Sequence, residues 1–103
     1  MMINKKAVSL IGLAMRAGKV VSGDDTTLIE LKKNKLKLVI IAEDASDNTK
    51  KLFKDKSSYR QIPYVICMSK NEIGLMIGKS PRAVMGIKDR GFADKIKSLL
   101  EEK

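Results

Sequence analysis

The stretch Lys19-Val20-Val21-Ser22-Gly23-Asp24-Asp25-Thr26-Thr27, followed by a helical pattern and then by Leu38-Val39-Ile40-Ile41-Ala42-Glu43-Asp44, decides the fold. The Val20-Val21 pair suits a small strand, because β-branched side chains fit a pleated surface. Gly23 turns the chain easily, since it tolerates positive φ. Asp24 or Asp25 then caps a helix reaching about Asn34 or Lys35, with Leu28, Ile29 and Leu31 as its apolar positions and Lys32 and Lys33 outward. Leu36 to Ala42 is a run of β-branched and aliphatic residues, the pattern of a central strand buried on both faces. A glycine turn that opens a helix, with a buried strand returning beside it, presents backbone N–H groups and short polar side chains at one edge of a sheet.

Outward from this unit, the chain keeps alternating. Lys5 to about Arg16 carries Val8, Leu10, Ile11, Leu13, Ala14 and Met15, which predicts a helix with a broad buried face, closed by Gly18. Ser46 or Asp47 starts a helix through about Tyr59 with Leu52 and Phe53 inward, and Pro63 to Met68 reads as a second buried strand. Ser69-Lys70-Asn71-Glu72 matches a capping box, which predicts a short helix to about Ile77. Gly78 to Arg82 is then a loop, Ala83 to Ile87 a third strong strand, and Gly91 to Leu100 a final helix. Helices alternating with buried strands argue for an α/β fold with helices on both faces of the sheet. The 103 residues, without linker, repeat or low-complexity tract, are expected to form one domain, residues 1–103.

Lys and Arg total 21 against 12 Asp and Glu, a formal charge of +9 that favours polyanionic partners and says nothing about fold. There is no His, which excludes imidazole general-base chemistry and histidine metal sites. Cys67 stands alone in an apolar run, so a disulfide framework or zinc cluster is excluded; a buried free thiol fits a reducing cytosol. No apolar stretch approaches the roughly 20 residues needed to cross a bilayer. Met1 to Lys6, followed by apolar residues, superficially resembles a signal peptide, but Arg16 and Lys19 interrupt it. The expectation is a cytoplasmic protein without a membrane partner.

Gly23 to Thr27 supports two readings. The residue types suit a plain turn and cap. They also suit a helix N-terminus that offers unpaired N–H groups to phosphate or base atoms. Asp24 and Asp25 would then accept hydrogen bonds from guanine N1–H and N2–H₂, with Arg16, Lys19, Lys32 and Lys33 as a positive surround. Lys79-Ser80-Pro81-Arg82 is either a solvated proline turn or a binding loop on a rigid scaffold. Glu43 and Asp44 read as a solvated loop, or, with Asp24 and Asp25, as ligands for magnesium in a phosphoryl-transfer or phosphoacceptor domain. Gly74 and Gly78 lack a surrounding P-loop or dinucleotide pattern. Phe53, Tyr59, Tyr64 and Phe92 are too few and scattered for an RNP-type stacking platform.

Taken together, Gly23-Asp24-Asp25-Thr26-Thr27, Leu38 to Asp44, Ile62-Pro63-Tyr64-Val65, Ser69-Lys70 through Gly74, and Gly78-Lys79-Ser80-Pro81 make the chain resemble the kink-turn RNA-binding ribosomal-protein superfamily (L7Ae/L30e), in particular its small bacterial YlxQ-like members. The resemblance implies a three-layer α-β-α sandwich with a four-stranded mixed sheet. It implies binding to a sharply bent RNA helix whose bend holds tandem sheared G·A pairs. The family's RNA signature is Gly, any residue, Asn, Glu, two further residues, then Lys, with a basic residue four positions later. Gly23 matches the glycine and Lys33 the later basic position, while Asp25 replaces Asn, Thr26 replaces Glu and Ile29 replaces Lys. A second family loop, packed against the RNA bend, falls on Lys79, Ser80, Pro81 and Arg82.

The resulting expectation is a non-catalytic, cofactor-free and metal-free protein that binds structured, possibly ribosomal RNA as a monomer. Its RNA-binding set is Arg16, Lys19, Gly23, Asp24, Asp25, Thr26, Lys32, Lys33, Lys79, Ser80, Pro81 and Arg82. The alternatives are the magnesium-dependent domain above and a protein-interaction module with weakened RNA binding, the latter suggested by Thr26 and Ile29.

Overall fold

A computed structural model describes residues 4–101. The elements follow in the order α1 (Lys5–Arg16), β1 (Val20–Ser22), α2 (Asp24–Lys32), β2 (Leu38–Ile41), α3 (Asp47–Tyr59), β3 (Tyr64–Ile66), α4 (Lys70–Met76), β4 (Val84–Ile87) and α5 (Arg90–Leu100). The four strands form one mixed sheet in the order β1-β4-β2-β3. β4 runs antiparallel to both β1 and β2, with Val21 opposite Gly86 and Val39 opposite Gly86, and β2 runs parallel to β3. Helices α2 and α3 pack together on one face and α1, α4 and α5 on the other, giving the three-layer α-β-α sandwich.

The core follows from the strand pattern. β2 and β4 are buried along their whole length, as central strands covered on both faces must be. Ile11 and Ala14 of α1, Leu31 of α2, Phe53 of α3, Ile73 of α4 and Ala93 and Ile96 of α5 close over them. No described helix is long and apolar enough to cross a membrane.

Several expectations need correction. Neither Asp24 nor Asp25 caps α2. Gly23 is the N-cap, at φ 91°, and no side chain caps that end. The Gly23 N–H is already committed to the Val84 carbonyl at 3.0 Å, extending the β1–β4 ladder, so the helix starts at the next residue. Asp24 and Asp25 therefore sit within the first turn, where a carboxylate is favoured by the helix dipole. β3 is an edge strand and not a buried one; its Ile66 is exposed. Leu52 and Leu13 also face outward, while Ser57 takes the buried place one turn beyond Phe53. Ile29 is 52% exposed, although it shares a helix with buried Leu31. α5 begins at Arg90, because the Asp89 carboxylate accepts the Phe92 N–H at 2.9 Å and caps it. The capping box at Ser69 and Glu72 is present as expected, with Glu72 accepting the Ser69 N–H at 2.7 Å and Ser69 accepting that of Glu72 at 3.1 Å.

Candidate nucleic-acid interface

The antiparallel pairing of β1 with β4 brings together two distant segments of the chain. Ser22 lies opposite Met85, so the turn leaving β1 and the loop entering β4 share one end of the sheet. Between them runs an open groove of about 340 Å³, lined by Ser22, Gly23, Asp24, Asp25, Thr26, Pro81, Arg82 and Ala83. Main-chain bonds lace the strand ends at this end of the sheet. Gly23 N–H donates to Val84, Ala42 N–H to Ala83 at 2.8 Å, and Glu43 N–H to Met68 at 2.7 Å.

One wall is the start of α2. Thr27 N–H makes the first intrahelical bond, to the Gly23 carbonyl at 3.0 Å. The N–H groups of Asp24, Asp25 and Thr26 precede it and find no acceptor among the described residues. A helix end of this kind carries partial positive charge and favours anionic or acceptor atoms. All three residues are exposed and line the groove.

The other wall is the Lys79–Arg82 loop, which is seated on α4. Lys79 N–H donates to Gly74 at 2.8 Å and Arg82 N–H to Lys70 at 3.1 Å. The seat depends on Gly74: a Cβ there would overlap the Ser80 carbonyl oxygen. Arg82 reaches across the groove, its Nε donating to Ser22 Oγ at 3.3 Å and its Nη1 to Ser80 Oγ at 2.6 Å. These partners are neutral. The guanidinium is oriented without being neutralised, and its charge is available to a phosphate.

The acidic residues beside the groove are put to structural use. Glu43 Oε1 accepts the Met68 N–H at 3.1 Å and Asp44 Oδ1 accepts the Lys70 N–H at 2.9 Å. These bonds tie the loop after β2 to the loop before α4, where Met68 takes a φ of 65°. Among the described residues no three His, Cys, Asp or Glu side chains gather as a metal site requires. The four carboxylates of the magnesium reading thus divide between a groove wall and two loop ties. Cys67 lies behind them. Burial pushes its thiol up to about 11, with Glu43 and Glu72 adding to the shift, so the sulfur stays protonated and a poor nucleophile.

The structure brings Gly23, Asp24, Asp25, Thr26, Pro81 and Arg82 to one groove, with Lys79 and Ser80 exposed on the same loop. It does not bring Arg16, Lys19, Lys32 and Lys33 there. Lys19 precedes the far end of β1, where its carbonyl accepts the Lys88 N–H at 2.8 Å, and Arg16 ends α1 just before it. Lys32 ends α2, about 12 Å along the helix axis from Asp24. The expected positive surround is therefore at the opposite end of the sheet. Ser22 and Gly74 also shape the groove, although residue type alone assigned neither a binding role. A glycine inside a seven-residue helix is the available signal, because it costs helix stability and so points to a packing reason.

Comparison with known proteins places the fold. Residues 5–97 match the model of the Ribosomal protein L7Ae/L30e/S12e/Gadd45 family. The RNA-binding protein YlxQ of Enterococcus faecium is 54% identical over 97 residues, covering 94% of this chain and 93% of that protein. The RNA-binding protein YlxQ of Bacillus subtilis is 47% identical over 92 residues, covering 89% and 92%. Among solved structures, the Giardia lamblia 15.5kD RNA binding protein superposes with a TM-score of 0.77 at 26% identity, covering 91% of this chain and 83% of that one. With residues 5–97 matched and these relatives aligned over most of their length, the chain belongs to the Ribosomal protein L7Ae/L30e/S12e/Gadd45 family.

Proposed function

We propose that the protein is a non-catalytic, cytoplasmic RNA-binding protein, ribosomal-protein-like in character, that holds a kink-turn or similarly bent structured RNA in the groove between Gly23–Thr26 and Lys79–Arg82. The observation that carries this reading is the groove itself: three unpaired helical N–H groups on one wall face a tethered, un-neutralised arginine on the other. The YlxQ relatives and the Giardia protein are named for RNA binding, which supports the partner class.

The chemistry divides between the walls. Asp24 and Asp25 carry acceptors only, so they would meet guanine N1–H and N2–H₂ while repelling phosphate. The N–H groups of the same turn would meet base or phosphate oxygens. Lys79 and Arg82 would each neutralise a phosphate of the strand passing over the loop. Thr26, standing where the family signature has Glu, offers one hydroxyl in place of a carboxylate, and recognition then leans on the shape of the bend.

The test is a titration of this protein with a kink-turn RNA and with the same RNA after its sheared G·A pairs are replaced by G·C pairs. The expected outcome is at least tenfold weaker binding to the straightened RNA. If about five phosphates are neutralised, log Kd should change with log salt concentration with a slope of magnitude near 4 to 5. Equal affinity for the two RNAs, or a slope near zero, overturns the proposal.

A further inference from the structure

The opposite end of the sheet collects features that the groove at Gly23 leaves unused. Three connections meet there: the turn from α2 to β2 with Lys33, Lys35 and Lys37, the turn from α3 to β3 beginning at Arg60, and the turn from β4 to α5, whose first helical residue is Arg90. Asn34 and Gln61, both at φ 58°, take the left-handed conformation that bends the first two connections back toward the sheet. Between them lies a second concave site of about 290 Å³, with Lys37, Arg60 and Arg90 in its lining and Asp94 as its one carboxylate. Among the described residues, none of Lys33, Lys35, Lys37, Arg60 and Arg90 has an ion-pair partner. Unpaired cations from separate elements, converging on a concave surface, form an electrostatic seat for a polyanion.

A second observation narrows the partner. Tyr59, at the end of α3, is 84% exposed. The Arg60 guanidinium lies 5.5 Å from its ring centroid, covering one face and leaving the other to solvent. Arg60 also donates to the Lys56 carbonyl at 3.3 Å, which holds it between the ring and the cationic hollow. An aromatic face beside a cationic track is the arrangement on which single-stranded bases stack while their phosphates are neutralised.

We propose that this end is a second, independent RNA contact: a single-stranded segment lays its phosphates along Lys37, Arg60 and Arg90 and stacks one base on Tyr59. The protein would then join a bent RNA element at one end of the sheet to an unpaired segment at the other. This contact goes beyond the groove reading and does not require it.

The test uses the intact protein and a fluorescein-labelled RNA of about 12 nucleotides without self-complementarity, long enough for one such track. Fluorescence anisotropy at 50 mM KCl gives the affinity. Arg60→Gln with Arg90→Gln should weaken binding at least tenfold. Tyr59→Ala should weaken it about fivefold or more, whereas Tyr59→Phe should bind as the unaltered protein does, because the ring is kept. The Tyr59 pair decides the matter alone if the double variant melts at a lower temperature. Lys54→Gln, on the exposed side of α3, should leave this affinity unchanged. Equal behaviour of Tyr59→Ala and Tyr59→Phe overturns the proposal, as does loss of binding in Arg82→Gln without loss in the Arg60/Arg90 variant. Failure to bind the oligonucleotide together with tight binding of a glutamate-rich peptide would assign the hollow to an acidic protein and overturn it as well. The probe carries no bend, so a failed kink-turn titration leaves all these outcomes intact.

Discussion

At the Gly23–Arg82 end of the sheet, acidic and basic groups are mixed and geometry is tight. Arg82 is held by Ser22 and Ser80, the loop behind it sits on Gly74, and Glu43 and Asp44 are spent on main-chain N–H groups. At the opposite end, Lys33, Lys35, Lys37, Arg60 and Arg90 stand on turns with no acidic partner among the described residues. The two ends share one sheet and differ in what they can do. On the proposed reading, the first would read a shape through fixed donors and acceptors, and the second would attract and neutralise a chain of phosphates. The +9 charge of the protein thus does not mark the groove that fixes hydrogen-bonding geometry. Attraction falls off over about 10 Å at ordinary salt, so the two functions can be separated by mutation.

The largest separation is expected from Gly74→Val. Its side chain would meet the Ser80 carbonyl and lift the Lys79–Arg82 loop, at an expected cost of about 1–3 kcal/mol and a melting temperature several degrees lower. Bent-RNA binding should be lost while short single-stranded RNA still binds; parallel loss of both would show that the ends are not independent. Gly23→Val comes next. A β-branched residue at φ 91° is strained by about 1–3 kcal/mol, and the start of α2 would shift. A roughly tenfold loss of bent-RNA affinity is expected in a gel-shift titration, against no change for Lys54→Ala on the exposed side of α3; equal effects would remove the turn from the site.

A gain of function sharpens the comparison from the other side. Thr26→Glu with Ile29→Lys restores the residues of the family signature at two exposed positions of α2. A bidentate base contact is worth about 1–3 kcal/mol, so bent-RNA affinity should rise about fivefold or more. Unchanged affinity would mean that the present bend is read without those contacts.

The smallest effect probes the negative potential at the groove end. Cys67 has its thiol raised to about 11 by burial first and by Glu43 and Glu72 after it. Glu43→Gln should lower that value partway, since burial persists, and the pH at which iodoacetamide begins to react with the folded protein should fall with it. The sign for stability follows from the same shift. A thiol raised from 9.0 to about 11 on folding leaves stability intact below about pH 9. It is then lost progressively as pH rises toward 11, because only the unfolded chain gives up its proton there. A Glu43→Gln protein with an unchanged reaction profile would show that the loop acids do not set the local potential.

Much of the fold was legible in the chain. Apolar spacing and end signals located the described helices and the buried strands β2 and β4, and Ser69-Lys70-Asn71-Glu72 announced α4 by its reciprocal cap. What failed were statements about neighbours. Pro63 to Met68 is as apolar as a central strand, yet β3 lies at an edge, because strand order is not a property of any one strand. Asp24 and Asp25 are good caps by type, but the Val84 carbonyl had already fixed Gly23 as the last extended residue. Tyr59 was one of a few scattered aromatics until the end of α3 left it bare beside Arg60.

The candidate site shows the same division. Gly23, the short polar residues after it and the Lys79–Arg82 loop could be picked out from residue type alone, since local conformational preference and helix-end chemistry act over a few residues. Their union into one groove, and the removal of Arg16, Lys19, Lys32 and Lys33 to the far end, depended on the antiparallel pairing of β1 with β4. That pairing is a long-range choice. It is made by burying apolar strand faces between two helix layers, and a linear pattern of residues carries no record of which strand will become whose neighbour.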